Sequence, residues 1–421
     1  MTGAVETGVK GCQASEDKTT RKRLSGREGG LAPAADDFKM TVEDTLAELI
    51  AIDSVSAHSN SAIVSYLAGR CERLGFQTQQ FPHIDEKGVQ KINLVALTSA
   101  CDSSKQTQTE VCATELALVG HTDTVPYDPN WSEALALTER DGKLFGRGAC
   151  DTKAFIAAAL TAIDSLDLAK LTKPLALVFT SDEEIGCLGA KRLAEANSFT
   201  AQYAIVGEPT SLQPMRAGKG YCLAQVTLRG REAHSAYPQL GASAIFHAAR
   251  LIERIESIAE KIKTYEHKDF DPPYTTLNVG LINGGSAKNI VPGECRFTLE
   301  WRTIPGQDSN HVLNLLSQAA DDLQKQDADF ICEIDAPRAD DSFETPDNSR
   351  LVHFLEDASG KSSGTVAFGT EAPSMIKLGA EAVVFGPGDI RVAHRTGEFV
   401  PVDQLNQCVK ILRTAIEKFC A

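Results

Sequence analysis

Three apolar runs, Leu116-Ala117-Leu118-Val119, Leu175 to Phe179 and Tyr203 to Val206, constrain this chain more than anything else in it. Runs this short and this uniformly apolar read as buried strands. Each empties into a polar segment: Gly120-His121-Thr122-Asp123-Thr124-Val125-Pro126, then Thr180-Ser181-Asp182-Glu183-Glu184-Ile185-Gly186, then Gly207-Glu208-Pro209-Thr210. In open α/β sheets ligands bind in the crevice outside the carboxyl ends of the strands. His121 and Asp123 stand two residues apart on an extended segment and point the same way, as a metal ligand and the group that orients it would. Burying a lone carboxylate is costly, and a bound dication is the usual compensation.

The bulk numbers set limits. A chain of 421 residues is too long for one ordinary core, so two domains are expected. Its 42% hydrophobic and 24% charged residues are those of a globular protein. No run of eighteen apolar residues offers a membrane span. The net charge of -15 argues against nucleic acid or an anionic membrane as partner and mildly favours a cationic small molecule. Eleven scattered cysteines with no C-x-x-C pair, in a chain without an export signal, read as reduced thiols in the cytosol.

Residues 1–39 are rich in Gly, Ser, Thr and charge and are expected to be a disordered tail, with Met40 a candidate start. Val42, Leu46, Leu49 and Ile50 recur at helical spacing. Asn60 reads as the cap of a helix to Leu74, stopped by Gly75. Strands are expected near Phe76 to Phe81 and Ile92 to Leu97, and residues 99–114 form a polar insertion. Phe145-Gly146-Arg147-Gly148-Ala149-Cys150-Asp151-Thr152-Lys153 leads into an Ala-rich helix from Ala154 to Leu166. From about Lys219 the texture changes to strand, helix, two strands and helix: Tyr221 to Leu228, Ala242 to Ile262, Thr276 to Leu281, Glu294 to Arg302 and Val312 to Leu323. That order suggests a separate α+β insert. After about Asp340 the α/β texture returns, with helices at Leu351 to Ser359 and Ser374 to Leu378, a strand at Ala382 to Phe385 and a closing helix from Val402 to Phe419. A domain interrupted by another leaves a cleft suited to a ligand.

His121-Thr122-Asp123, the Gly148 to Lys153 segment, Glu183-Glu184, Gly207-Glu208-Pro209 and Ala393-His394 resemble, in this order, the dinuclear zinc amidohydrolases, which include aminoacylases, glutamate carboxypeptidase, succinyl-diaminopimelate desuccinylase and acetylornithine deacetylases. Read singly, each has a plain alternative: a solvated turn for Glu183-Glu184, a helix cap for Asp151, a loop for Glu208-Pro209, a surface histidine for His394. Together they would require five coincidences at strand ends. The resemblance runs from about residue 41 to the end. It implies a zinc-peptidase-like α/β catalytic domain with a mixed sheet and flanking helices (40–217 and 339–421), interrupted by an α+β lid and dimerisation domain (218–338). It also implies two Zn2+ per subunit, with Co2+ also accepted. Asp151 would bridge them, His121 and Glu208 holding one and Glu184 and His394 the other. Asp123 would hydrogen-bond the far nitrogen of His121, and Glu183 would be the general base. The donor types suit zinc, and two zincs about 3.5–4 Å apart need a carboxylate with two oxygens to share.

In the insert, Ala233-His234-Ser235-Ala236 resembles the family's lid motif. His234 would then stabilise the oxyanion, reaching a partner subunit's site in a homodimer. Asn289 and Arg302 match lid positions that grip a substrate carboxylate, for which guanidinium is suited; read alone they are a turn residue and a salt-bridge residue. Gly207 to Pro214, Gly218-Lys219-Gly220 and Phe368-Gly369-Thr370-Glu371-Ala372-Pro373 look closest to the acetylornithine deacetylases. Glu371 would place an acid at the site's rim to pair with an ornithine ammonium. The expected reaction is hydrolysis of N2-acetyl-L-ornithine to L-ornithine and acetate, a step in arginine biosynthesis. The alternatives are an aminoacylase, a desuccinylase or a dipeptidase on the same centre, or a non-catalytic relative that only binds a ligand; the last is disfavoured because every ligand position is filled.

Overall fold

The computed structural model describes residues 40–98 and 113–421. The expected disordered tail and residues 99–112 of the expected polar insertion lie outside the described residues.

The three apolar runs lie side by side in a nine-stranded sheet. Ala113–His121 sits between Leu175–Thr180 and Thr200–Val206, parallel to both. Glu381–Val384 adds a further parallel strand beside Thr200–Val206. The hairpin Gln77–Ile84 and Gln90–Leu97 joins antiparallel beyond Leu175–Thr180, and Met215–Gly218 with Phe343–Glu344 closes the other side. The sheet is mixed, with parallel strands at its centre.

Period-two alternation explains why those strands are apolar throughout. Leu116, Leu118, Leu177, Phe179, Tyr203 and Ile205 face one core, built with the helices Val42–Ile50, Ser61–Arg73, Lys153–Asp164, Arg350–Ser359 and Val402–Cys420. The smaller Ala117, Val119, Ala176, Val178, Ala204 and Val206 face the other, against Leu188–Glu195 and Ala372–Lys377. The bulky face carries five helices and the small-residue face two. Gly207 lets the chain leave its strand beneath the Phe155 ring, because a Cβ there would stand 2.2 Å from that ring. This close approach holds the next residue, Glu208, over the helix that follows Asp151.

Residues 221–340 build a second sheet, in the order Thr276–Gly284, Glu294–Arg302, Tyr221–Arg229, Ile331–Asp340, every pair antiparallel. Helices Ala244–Ile262 and His311–Gln326 cover one face and share a core with it. The strand Ile331–Asp340 has no counterpart in the sequence reading. It contains Pro337, and its register shifts between Asp335 and Arg338; proline in an edge strand at an irregularity gives no clean alternation to read. Two crossings join this unit to the central sheet. At the first, Gly220 packs against the Asp340 carbonyl of the second, where a Cβ would stand 2.4 Å from that oxygen. Among the described residues no helix is long and apolar enough to cross a membrane.

Candidate metal centre

Four neighbouring parallel strands end on one edge, and each contributes to one cluster. His121 ends its strand, Glu183 and Glu184 follow Thr180, Glu208 follows Val206, and His394 lies on the loop after Val384. Asp151 arrives from the turn before the helix Lys153–Asp164, on which Thr152 rather than Asp151 holds the cap position. Its carboxylate is therefore free for other partners. Oδ1 lies 2.9 Å from His121 Nε2, and Oδ2 lies 3.1 Å from His394 Nε2. His394 Nε2 is also 3.0 Å from Glu184 Oε2.

Two donor triads result, His121–Asp151–Glu208 and Asp151–Glu184–His394, each with its ligand atoms within 4.8 Å of one another. They share Asp151. The first is buried, while the second opens outward through His394, whose side chain is half exposed. His394 adopts a left-handed backbone with φ +59°. For a non-glycine residue this costs about 1–2 kcal/mol, and strain of this kind gathers at functional sites.

The electrostatics show what the cluster fits. Burial pushes Glu208 well above the usual carboxylate range, and the charges of Asp151 and Glu183 add to this. Burial, with Glu184, Asp151 and Glu371, pushes Glu183 up to about 8 against the pull of His121. Hydrogen bonds from His394 to the carboxylates of Asp151 and Glu184 lift its imidazole to about 10. The imidazole of His121 is also held well above its ordinary value; burial opposes this, but Asp151 with the charges of Glu183 and Glu208 outweighs it. A buried group of acids that makes both imidazoles so basic has a strong affinity for positive charge. Imidazole and carboxylate oxygen are the donors divalent zinc takes, so the residues present fit a pair of divalent cations.

Asp123 departs from expectation. His121 Nδ1 lies 3.0 Å from the Asp123 backbone carbonyl and 3.7 Å from its carboxylate. The carbonyl can only accept, so it fixes the proton on Nδ1 and leaves Nε2 facing Asp151. The Asp123 carboxylate instead accepts the N–H groups of Glu183 at 3.1 Å and Glu184 at 3.3 Å, and the Ser56 hydroxyl at 2.7 Å. It holds the turn that presents both glutamates.

Glu371 is also corrected. It does not stand at a rim: it is 1% exposed, drawn inward because the helix it starts packs Ala372 and Met375 into the core. Burial pushes its carboxyl up to about 7, and its Oε1 has no hydrogen-bond partner among the described residues. Arg302 sits at the junction of the two sheets. It donates to the Ala367 carbonyl at 2.7 Å and to Glu300 at 3.0 Å, and stacks 4.4 Å from the centre of the Tyr221 ring. His234 and Asn289 come together at the two-stranded ribbon of Ala233–His234 and Ile290–Val291, where Ser235 N–H donates to the Asn289 carbonyl at 3.0 Å. Both are exposed, and no hydrogen bond or ion pair links either to the donor triads.

Other supports escaped the sequence reading. Asn60 makes no capping bond; its amide bridges Ile92 and Thr122. Lys91, 1% exposed, pairs with the buried Asp182 at 2.9 Å just before the glutamates. Glu398 accepts the N–H groups of Cys150 at 2.8 Å and Asp151 at 3.0 Å on one oxygen, and Arg147 at 2.5 Å on the other. Its position four residues after His394 was the available signal. A third cluster, His267–Asp269–Glu344, is already filled by the guanidinium of Arg216, 2.8 Å from Glu344.

Comparison with known proteins agrees with this geometry. Residues 117–418 match the family described as Peptidase family M20/M25/M40. An acetylornithine deacetylase of Myxococcus xanthus is 50% identical over 377 residues, covering 89% of this chain and 97% of that protein. A tripeptidase from Staphylococcus aureus shares the fold with a TM-score of 0.69 at 24% identity, over 90% of this chain and 97% of that one. A dinuclear metal-binding peptidase of the M20 family from Bacillus subtilis does so with a TM-score of 0.60 at 13% identity, over 90% and 98%. The chain belongs to peptidase family M20/M25/M40 and is a metal-dependent amidohydrolase.

Proposed function

We propose that this protein hydrolyses N2-acetyl-L-ornithine to L-ornithine and acetate, serving arginine biosynthesis in the cytosol, with two Zn2+ per subunit. The sharing of Asp151 by two donor triads carries the metal reading. The 50% identity to a protein named acetylornithine deacetylase supports the substrate. His121 and Glu208 would hold one cation and Glu184 and His394 the other, with Asp151 belonging to both sets.

Such a pair, when bound, activates water at neutral pH and polarises the acyl carbonyl. Glu183 accepts the proton of the attacking water and passes it to the leaving amine. Its raised proton affinity suits both halves of that task. The acetyl carbonyl carbon gains the water oxygen, the C–N bond breaks, acetate forms, and ornithine leaves as the amine. Asp123 keeps Glu183 and Glu184 at a constant offset during the transfer. Arg302 and Asn289 grip the α-carboxylate, and His234 donates to the developing oxyanion. Donors of that kind contribute about 2.7–4 kcal/mol.

His234 and Asn289 lie apart from the triads of their own chain, so residues 218–338 serve as lid and dimerisation domain, and His234 acts on the centre of a second copy. The edge strand Thr276–Gly284, with Leu281 and Ile282 exposed, supports a homodimer.

Hydrolysis rates with added zinc on N-acetylornithine, N-acetylcitrulline, N-acetylmethionine, N-succinyl-diaminopimelate and a dipeptide test the substrate. The highest kcat/KM should fall on N-acetylornithine. A preference for another amide would discard the substrate and keep the centre.

A further inference from the structure

The carboxylate of Glu183 is held by a thiol. Cys187 Sγ lies 3.2 Å from Glu183 Oε1 and donates to it. Among the described residues this is the side-chain hydrogen bond that Glu183 receives. Its backbone is fixed separately: its N–H donates to Asp123 Oδ1 at 3.1 Å. Its carbonyl accepts the N–H groups of Gly186 and Cys187, both at 2.9 Å. Turn and thiol together leave the second carboxylate oxygen without a hydrogen-bond donor among the described residues.

The backbone makes the identity of residue 187 informative. Cys187 has φ +54° and is 2% exposed. Glycine is the residue that adopts this conformation without strain. A side chain retained there, buried and turned towards a carboxylate, indicates that the side chain is used. Burial holds the thiol well above its ordinary pKa, with Glu183 adding to it, so the donor hydrogen stays in place across the working pH range.

We propose that Cys187 is a positioning residue for the hydrolytic reaction: its S–H group orients the carboxylate of Glu183 so that the free oxygen faces the attacking water. The proposal rests on the reading of Glu183 as general base. A thiol is a weak donor, so it fixes direction without binding the carboxylate so tightly that proton transfer is slowed.

The test compares C187A, C187S and E183Q in the zinc-loaded enzyme, following kcat, KM, metal content and Tm. Misplacing a reacting group by a fraction of an ångström to an ångström costs up to about 100-fold. C187A should therefore lower kcat by about 10- to 100-fold with KM and metal content unchanged. C187S, which keeps a donor, should recover to within about threefold of the parent. Should C187A not fold, C187G removes the donor while relaxing the backbone, and the same loss of kcat is expected. A kcat for C187A near that of the parent overturns the proposal. So does a C187S as slow as C187A, or a rise in KM together with a fall in metal content, which would mark a structural role. E183Q separates the two readings. If it is inactive while C187A is unimpaired, only the thiol's role is lost; if it is active, the general-base assignment itself fails.

Discussion

The carboxylate of Glu398 accepts the backbone on both sides of the Cys150–Asp151 peptide with one oxygen and Arg147 with the other. Both members of this pair are buried, with side chains 4% and 1% exposed. Glu398 thus sets the position of Asp151 through its backbone, without a hydrogen bond to the donor atoms of either triad. Removing one partner of a buried pair leaves an uncompensated charge and costs about 3–5 kcal/mol. Outer partners of metal ligands are worth about 10–100-fold in metal affinity. Glu398→Gln should therefore lower both stability and zinc affinity by these amounts. The double variant Arg147→Met with Glu398→Gln should recover most of the stability and little of the affinity. Denaturant unfolding and competitive zinc titration check this, and a Glu398→Gln protein with unchanged zinc affinity would contradict it. Asp123 teaches a related lesson. An Asp two residues after a His on a strand is legible as its neighbour, but whether carbonyl or carboxylate meets the imidazole depends on how the chain bends after the strand, which the residue pattern does not encode.

At the scale of elements, the strands that carry the ligands were legible because burial on both faces makes them uniformly apolar. The division between bulky and small faces is visible in Leu116-Ala117-Leu118-Val119 itself. The helices were legible to within a few residues for the same reason of periodicity: Val42–Ile50, Ala244–Ile262 and Val402–Cys420 each bury one stripe. What could not be read depends on contacts distant in sequence. The strand Ile331–Asp340 is broken by Pro337 and becomes a strand only by pairing with Tyr221–Arg229. Asn60 has the chemistry of a cap, yet the hairpin strand Gln90–Leu97 claims its amide. Glu371 immediately precedes a six-residue helix whose inward face is set by the sheet beneath it, so its exposure could not be inferred locally. The candidate ligands were found because five motifs occur in order, and the outer supports Glu398, Lys91 and Cys187 were missed because each acts through another residue.

At the scale of the molecule, the candidate metal cluster lies on the central sheet, and the residues proposed to grip the substrate lie in the segment 218–338. Arg302 spans the junction through the Ala367 carbonyl. The edge strand Thr276–Gly284 and the start of the helix Ala244–Ile262 expose Leu281 at 65%, Ile282 at 52% and Phe246 at 73%. Exposed apolar side chains beside an open strand edge suit a second copy of the chain. Leu281→Lys combined with Phe246→Asp should convert a dimer to a monomer in sedimentation, with zinc content intact and turnover sharply reduced because His234 no longer meets its partner's centre. A parent protein that sediments as a monomer, or a monomeric variant with full turnover, would contradict the trans arrangement. The metal reading itself rests on one residue: Asp151 would join two cation sites. The direct measurement is calorimetric zinc titration of metal-stripped parent and Asp151→Ala proteins, both checked for native folding. The parent should take up two equivalents, and Asp151→Ala should weaken both. An Asp151→Ala protein that still binds two equivalents, or that loses one while the other keeps its affinity, would contradict the shared-carboxylate centre.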